Sequence, residues 1–285
     1  MIRNMTADLK VRGSALILAA LVSVPVLAQS PPGGRGGPPP VPRAAAQIDL
    51  TGNWVSVVSE DWRWRMITPP KGDYANIPVN PEGRRVDDTW DPAKDEAAGE
   101  QCKAYAAPAI MREPGRLRIT WEDDFTLKVE TDAGRQTRIF QFARPAGAPG
   151  AAPAAAPAAA APAGAGAERS WQGVSVARWE APPRAGAGGG IGLGLGPRVP
   201  GGRTLEVNTT QIRPGYLRKN GIPFSANATV QEFYDAFKEP GGAEWFVVTT
   251  IVIDPQYLTA PWVTTSHFKK EPDASKWNPL PCSVR

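Results

Sequence analysis

Residues 116–142 read RLRITWEDDFTLKVETDAGRQTRIFQF, and this stretch decides the fold class. Leu117, Ile119 and Trp121 alternate with Arg116, Arg118, Thr120 and Glu122. Asp123-Asp124 turns the chain, after which Phe125, Leu127 and Val129 alternate with Thr126, Lys128 and Glu130. Asp132-Ala133-Gly134 turns it again, and Arg135 to Phe142 runs back. A two-residue period places apolar side chains on one face of a pleated strand, and short Asp/Gly turns join neighbours antiparallel. Such a meander must hide its edge strands, most simply by closing on itself.

The same pattern recurs outward from this stretch. Candidate strands are Gly52–Ser59, Trp62–Thr68, Arg116–Glu122, Phe125–Thr131, Arg135–Ala143, Trp171–Glu180, Thr204–Arg213, Ala228–Phe237, Glu244–Asp254 and Tyr257–Phe268. Gly241-Gly242, Asp254-Pro255 and Asn220-Gly221 are turn signals. One helix is predicted, with Asp91 as cap, Pro92 in the first position and Asp95 and Glu96 near the positive end of the dipole. It continues over Lys94–Tyr105, weakened at Gly99, and carries Cys102. The expected fold is all-β: an antiparallel meander closing into a barrel of about 8–10 strands, with one short helix and long Pro/Gly/Ala-rich loops.

The ends and the composition set the context. Arg3, Lys10 and Arg12 precede an apolar run from Ala15 to Ala28 that ends in Val26-Leu27-Ala28, the pattern of a signal peptide cleaved after Ala28. Residues 29–47 read as a Pro/Gly-rich disordered tether, and residues 48–285 as one barrel domain with low-complexity insertions at 146–167 and 181–202. Export predicts a periplasmic or secreted protein with no integral membrane span after cleavage. Cys102 and Cys282 are then expected to be bridged. The formal charge is +4, and loss of residues 1–28, with three basic residues and one acid, lowers it to +2. A body so nearly neutral argues against nucleic acid as a partner.

Asp49-Leu50-Thr51-Gly52-Asn53-Trp54 resembles the opening of lipocalin-like barrels, where a Gly-x-Trp element supplies a Trp that plugs the closed end. The segments Glu60–Met66, Trp90–Glu96 and Arg213–Gly221 resemble a family of uncharacterised exported bacterial proteins, which brings no activity with it.

Candidate functional residues follow from composition and alternation. The chain has ten Trp. Trp54, Trp62, Trp64, Trp121, Tyr234 and Trp245 are candidates to line a barrel cavity for a small, largely apolar ligand, since barrels of this size can hold one. On a strand, Trp62 and Trp64 would share one face and Arg63 and Arg65 the other, where two guanidiniums could fix a carboxylate or phosphate. Glu232 and Tyr234 share a face opposite Asp235. Glu232 or Asp235, paired with the sole histidine, His267, would be the catalytic groups of a hydrolase or isomerase on the same barrel. No His/Cys cluster suggests a metal, no Gly-x-Ser-x-Gly elbow marks a Ser-His-Asp hydrolase, and no phosphate loop or dinucleotide fingerprint suggests a cofactor. Three readings stay open: a small-molecule binding protein, an enzyme, or an envelope scaffold that binds a protein partner.

Overall fold

The structure is a computed structural model, described here for residues 40–144, 168–180 and 204–284. Nine strands close into one barrel: β1 (Gly52–Val57), β2 (Arg116–Asp123), β3 (Thr126–Thr131), β4 (Thr137–Phe142), β5 (Val174–Trp179), β6 (Leu205–Thr210), β7 (Thr229–Lys238), β8 (Glu244–Ile253) and β9 (Trp262–Glu271). Each pairs with its neighbour in sequence, and β1 pairs with β9 to shut the ring. All pairs are antiparallel except β4 and β5, which run parallel through Phe140↔Ser175 and Phe142↔Ala177.

That exception corrects the expected all-antiparallel meander, and it has a topological cause. Nine strands that reversed at every step would leave β1 and β9 parallel, whereas these two pair antiparallel. One connection must therefore fail to reverse. Parallel neighbours need a connection that returns along the strand, commonly a dozen residues or more. The stretch between these two strands, residues 143–173, includes the Ala/Pro/Gly run at 146–167. Both low-complexity stretches lie outside the described residues, as does the segment read as a signal peptide.

The wall obeys the two-residue period. Leu117 and Ile119, Leu127 and Val129, Phe140 and Phe142, Leu205 and Val207, and Phe246 and Val248 all point inward and are buried. Aromatic clusters fill much of the interior. Phe246 meets Trp54 at 4.8 Å and Phe268 at 4.7 Å between ring centres, and Phe140 lies 5.7 Å from Tyr234. These separations suit edge-to-face and offset packing, which adds to the burial of apolar area.

Both ends of the barrel carry chain. At the end where β1 begins, Ile48, Leu50 and Trp54 join the core, and the Trp54 indole donates to Leu50 O at 2.9 Å. Residues 40–47, read from sequence as tether, reach the rim here: Arg43 N donates to Asp124 O and the Trp179 indole to Pro42 O. At the other end, the β1–β2 connection and the β6–β7 connection form a cap with its own core, including Ile77, Val79, Ile212, Leu217, Phe224 and Trp262.

Three short helices lie in the β1–β2 connection: α1 (Trp62–Arg65), α2 (Pro81–Asp87) and α3 (Pro92–Ala97). Trp62–Thr68 is therefore not the strand its alternation predicts. The chain leaves β1 through Asp61, whose φ of 49° is left-handed, and coils directly into α1. Asp tolerates this conformation better than most residues. Asp91 caps α3 by accepting from Ala93 N, with Pro92 at the first position, as the sequence implies. The helix nevertheless stops at Ala97, because Gly99 turns left-handed at φ 71°. Cys102 lies instead in a 3-10 turn, Gln101–Tyr105, and is bonded to Cys282 with 5.1 Å between Cα atoms. β9 begins at Trp262, later than the alternation implies, because Asp254–Leu258 closes a turn through Leu258 N to Asp254 O. No described helix is long and apolar enough to cross a membrane.

Candidate functional site

A cavity of about 180 Å³ opens in the cap. Three short segments outside the barrel wall supply its charged walls. Arg65 comes from α1, Arg112 from a 3-10 turn at Ile110–Arg112, and Arg218 and Lys219 from a small hairpin in the β6–β7 connection.

Each segment is positioned for an identifiable reason. On a helical turn, residues two apart diverge and residues three or four apart converge. Trp62 and Trp64 therefore separate: Trp62 is 61% exposed, while Trp64 lines the cavity. Likewise Arg63 is exposed, and Arg65 turns in with its side chain only 1% exposed. Arg65 Nε donates to Arg112 O at 2.8 Å, which ties α1 to the 3-10 turn. Ile110 and Met111 anchor that turn in the barrel core. The hairpin pairs Gly215–Tyr216 with Pro223–Phe224 and turns at Asn220-Gly221, as the sequence signals. Gly221 has φ 94°, and a Cβ there would lie 2.2 Å from Trp90 Cγ, so the turn fits only because the residue is glycine.

The guanidiniums are held by their faces. Arg218 lies 5.2 Å over the Trp64 ring and Arg112 5.1 Å over Trp262. The Trp64 indole is fixed in turn by Asp73 Oδ2 at 3.1 Å. A guanidinium stacked on an aromatic face keeps its in-plane N–H donors free. Among the described residues, seven buried guanidinium nitrogens at this cavity have no protein hydrogen-bond acceptor: both Nη of Arg65, both Nη of Arg112, and Nε and both Nη of Arg218. Arg112 Nη2 sits 3.1 Å from Asp61 Oδ2, within ion-pair distance but outside hydrogen-bond geometry. Glu60 Oε2 lies 3.6 Å from Arg65, and Glu113 is taken by Lys219 at 2.9 Å.

The electrostatics carry the mark of crowded positive charge. Burial, then the neighbouring Arg112, brings Arg65 down to about 10. The same two causes bring Arg218 to about 10. Burial also lowers Arg112, against the pull of Asp61. All three remain charged at neutral pH. Arg65 and Arg112 have Glu60 and Asp61 at ion-pair distance, whereas no carboxylate among the described residues pairs with Arg218. A buried charge left so is costly, and buried guanidiniums are normally matched to carboxylates or phosphates.

Burial pushes the Glu113 carboxyl up, with Lys219 opposing. This gives a pH dependence with a definite sign. Protonating Glu113 removes a negative charge beside the arginines and so favours an added anion. Sulfate, whose own charge is constant over the range, should bind more tightly as pH falls toward a Glu113 pKa above the usual 4.5. Calorimetric titration of sulfate at pH 8 and pH 5.5 checks this. A Glu113→Gln variant should bind equally at both; a slope that persists in it would assign the effect to another group.

The other sequence candidates lie elsewhere. Trp54 and Tyr234 are core residues, and Trp121 packs partly buried against the same cluster. Trp245 stacks on Phe237 at 6.4 Å and lies under Lys269, away from the cavity. Glu232 faces inward, where Arg138 donates to both its oxygens at 2.7 and 2.6 Å. His267 alternates with the inward-facing Ser266 and Phe268, and its Nδ1 pairs with Glu60. The two lie on opposite faces of the wall and do not meet. Ser59 Oγ approaches the same His267 nitrogen at 3.4 Å. Asp235 accepts from Thr204 Oγ1 at 2.6 Å on the exposed rim. No cluster that could hold a metal occurs among the described residues.

Of the residues lining this cavity, Arg65 and Trp64 are among those the sequence singles out, and Arg112 and Arg218 are not. Arg218 lies within Arg213–Gly221, and the tight-turn signal at Asn220-Gly221 was the available clue that it sits on a hairpin tip. Arg112 has no comparable local signal.

The fold and site define a capped β-barrel with buried aromatic clusters and an arginine-walled cavity at one end. No protein-family model, curated protein or solved structure matches the chain.

Proposed function

We propose that this is an exported binding protein that holds a small ligand through an anionic group, a carboxylate, phosphate or sulfate, placed between Arg65, Arg112 and Arg218. The observation that carries the reading is the set of seven buried guanidinium nitrogens without a protein acceptor around one cavity. At about 180 Å³ the space is smaller than the roughly 300–1,000 Å³ of pockets for drug-sized ligands. It suits a headgroup or a small acid. The site lies in the cap, so the barrel serves as scaffold and its aromatic interior as core. Action outside the cytoplasm is supported by the signal-peptide-like pattern of residues 1–28 and by the Cys102–Cys282 bond.

Binding to the folded state alone stabilises it by about 2.7 kcal/mol at a hundred times Kd, which for a body of this size is roughly 5–10 °C in Tm. Sulfate should raise Tm on that scale, and chloride at equal ionic strength should not. Arg218→Met keeps volume over Trp64 and removes the charge. It should abolish the sulfate effect while leaving the unliganded protein as stable or more stable, since an unpaired buried charge is relieved. Equal responses to sulfate and chloride in the wild type would sink the reading.

A further inference from the structure

Resting on that reading, we infer that the ligand is an anionic amphiphile: a single-chain carboxylate or acid ester whose head enters the arginine cavity and whose apolar chain lies along α1 at the mouth. The cavity has room for little beyond a headgroup. At its mouth the surface changes character. Met66 and Ile67 line the cavity and are 59% and 66% exposed. Trp62, 61% exposed, stands four residues before Met66, and the two are joined by Met66 N to Trp62 O, so they share one face of the turn. Single exposed apolar side chains are ordinary, but adjoining ones at a binding mouth mark a contact surface. Here three large exposed apolar residues fall within six positions and abut buried cations. Charge at the base and apolar area at the rim complement a molecule with one anionic end and one greasy end.

A soluble molecule fits better than a headgroup still seated in a bilayer. The Arg65, Arg112 and Arg218 side chains lie at or below about a tenth exposure, beneath the rim, so the head must descend past Met66 and Ile67 to reach them.

The test is calorimetric titration of the whole protein with methyl, butyl, hexyl and octyl sulfate, each below its micelle concentration. The inference predicts affinity rising by about 2–4-fold for each methylene that reaches the rim. Trp62→Ser should flatten this series and leave the affinity for inorganic sulfate unchanged. Equal affinities for methyl and octyl sulfate would overturn the amphiphile and leave the anion site standing. Failure of inorganic sulfate and every alkyl sulfate to bind would overturn both. Co-sedimentation with phosphatidylglycerol vesicles that octyl sulfate does not displace would overturn the soluble ligand in favour of a membrane surface.

Discussion

Glu232→Leu should lower the unfolding free energy by about 3–5 kcal/mol, and Arg138→Met by a similar amount. Both side chains are fully buried, and their paired contacts cross the barrel interior from β4 to β7. Burial alone would lower Arg138, but the Glu232 carboxylate facing it carries it upward. The Tyr234 hydroxyl donates to Glu232 Oε1 at 3.2 Å, and Arg138 Nη2 reaches Thr209 Oγ1 at 3.3 Å. Removing either charge strands the other in an apolar interior. Removing both should recover most of the loss, because well-packed apolar replacements of a buried pair are often neutral or stabilising. A double-mutant cycle by urea denaturation checks this. A double variant no more stable than the worse single variant would place the energy in the hydroxyls that surround the pair, those of Tyr234, Thr209 and Ser175. Most domains have about 5–15 kcal/mol in all, so each single variant sits near the limit of folding. The cap should suffer too, since Val230 of β7 and Trp262 of β9 belong to its core and Trp262 carries Arg112.

Reduction of Cys102–Cys282 should be the other large loss. The bond closes a span of 180 residues. In the chain-entropy model that is worth about 5 kcal/mol, and removal of native bridges typically costs about 2–5. The bond fastens the Gln101–Tyr105 turn to the C-terminal strand, whose Leu280–Pro281 pairs in parallel with Ala133–Gly134. Tyr105 in that turn lies 4.8 Å beneath the Lys219 ammonium at the cavity wall. Cys282→Ser should therefore lower the denaturation midpoint and weaken sulfate binding together. Loss of stability with sulfate affinity intact would show that the cap holds its arginines without this clamp.

The wall was legible in the sequence and the cap was not, for one physical reason. Alternation reports a residue's face only where the chain is extended. Every barrel strand shows it, and closure follows because unpaired edges must be hidden. Arg138 shows the limit even there. It stands two and four residues before Phe140 and Phe142 and so shares their inward face, yet an arginine reads as a solvent-facing residue unless its partner, 94 residues away, is known. In Glu60–Arg65 the alternation itself misleads. Trp-Arg-Trp-Arg scans as a strand, but the left-handed Asp61 and the bond from Arg65 Nε to Arg112 O coil it, and the coil separates each pair that a strand would unite. Tertiary contacts override so short a local pattern. Two of the stretches that stood out in the sequence, Glu60–Met66 and Arg213–Gly221, meet at the cavity, and a third, Trp90–Glu96, packs Trp90 against Gly221.

The most direct measurement is anomalous diffraction from crystals soaked in selenate, a heavy-atom analogue of sulfate. The account predicts one ordered selenium peak within hydrogen-bond reach of the guanidiniums of Arg65, Arg112 and Arg218, absent from crystals of Arg218→Met. Guanidiniums bonded only to ordered water in the soaked wild-type crystals would contradict it.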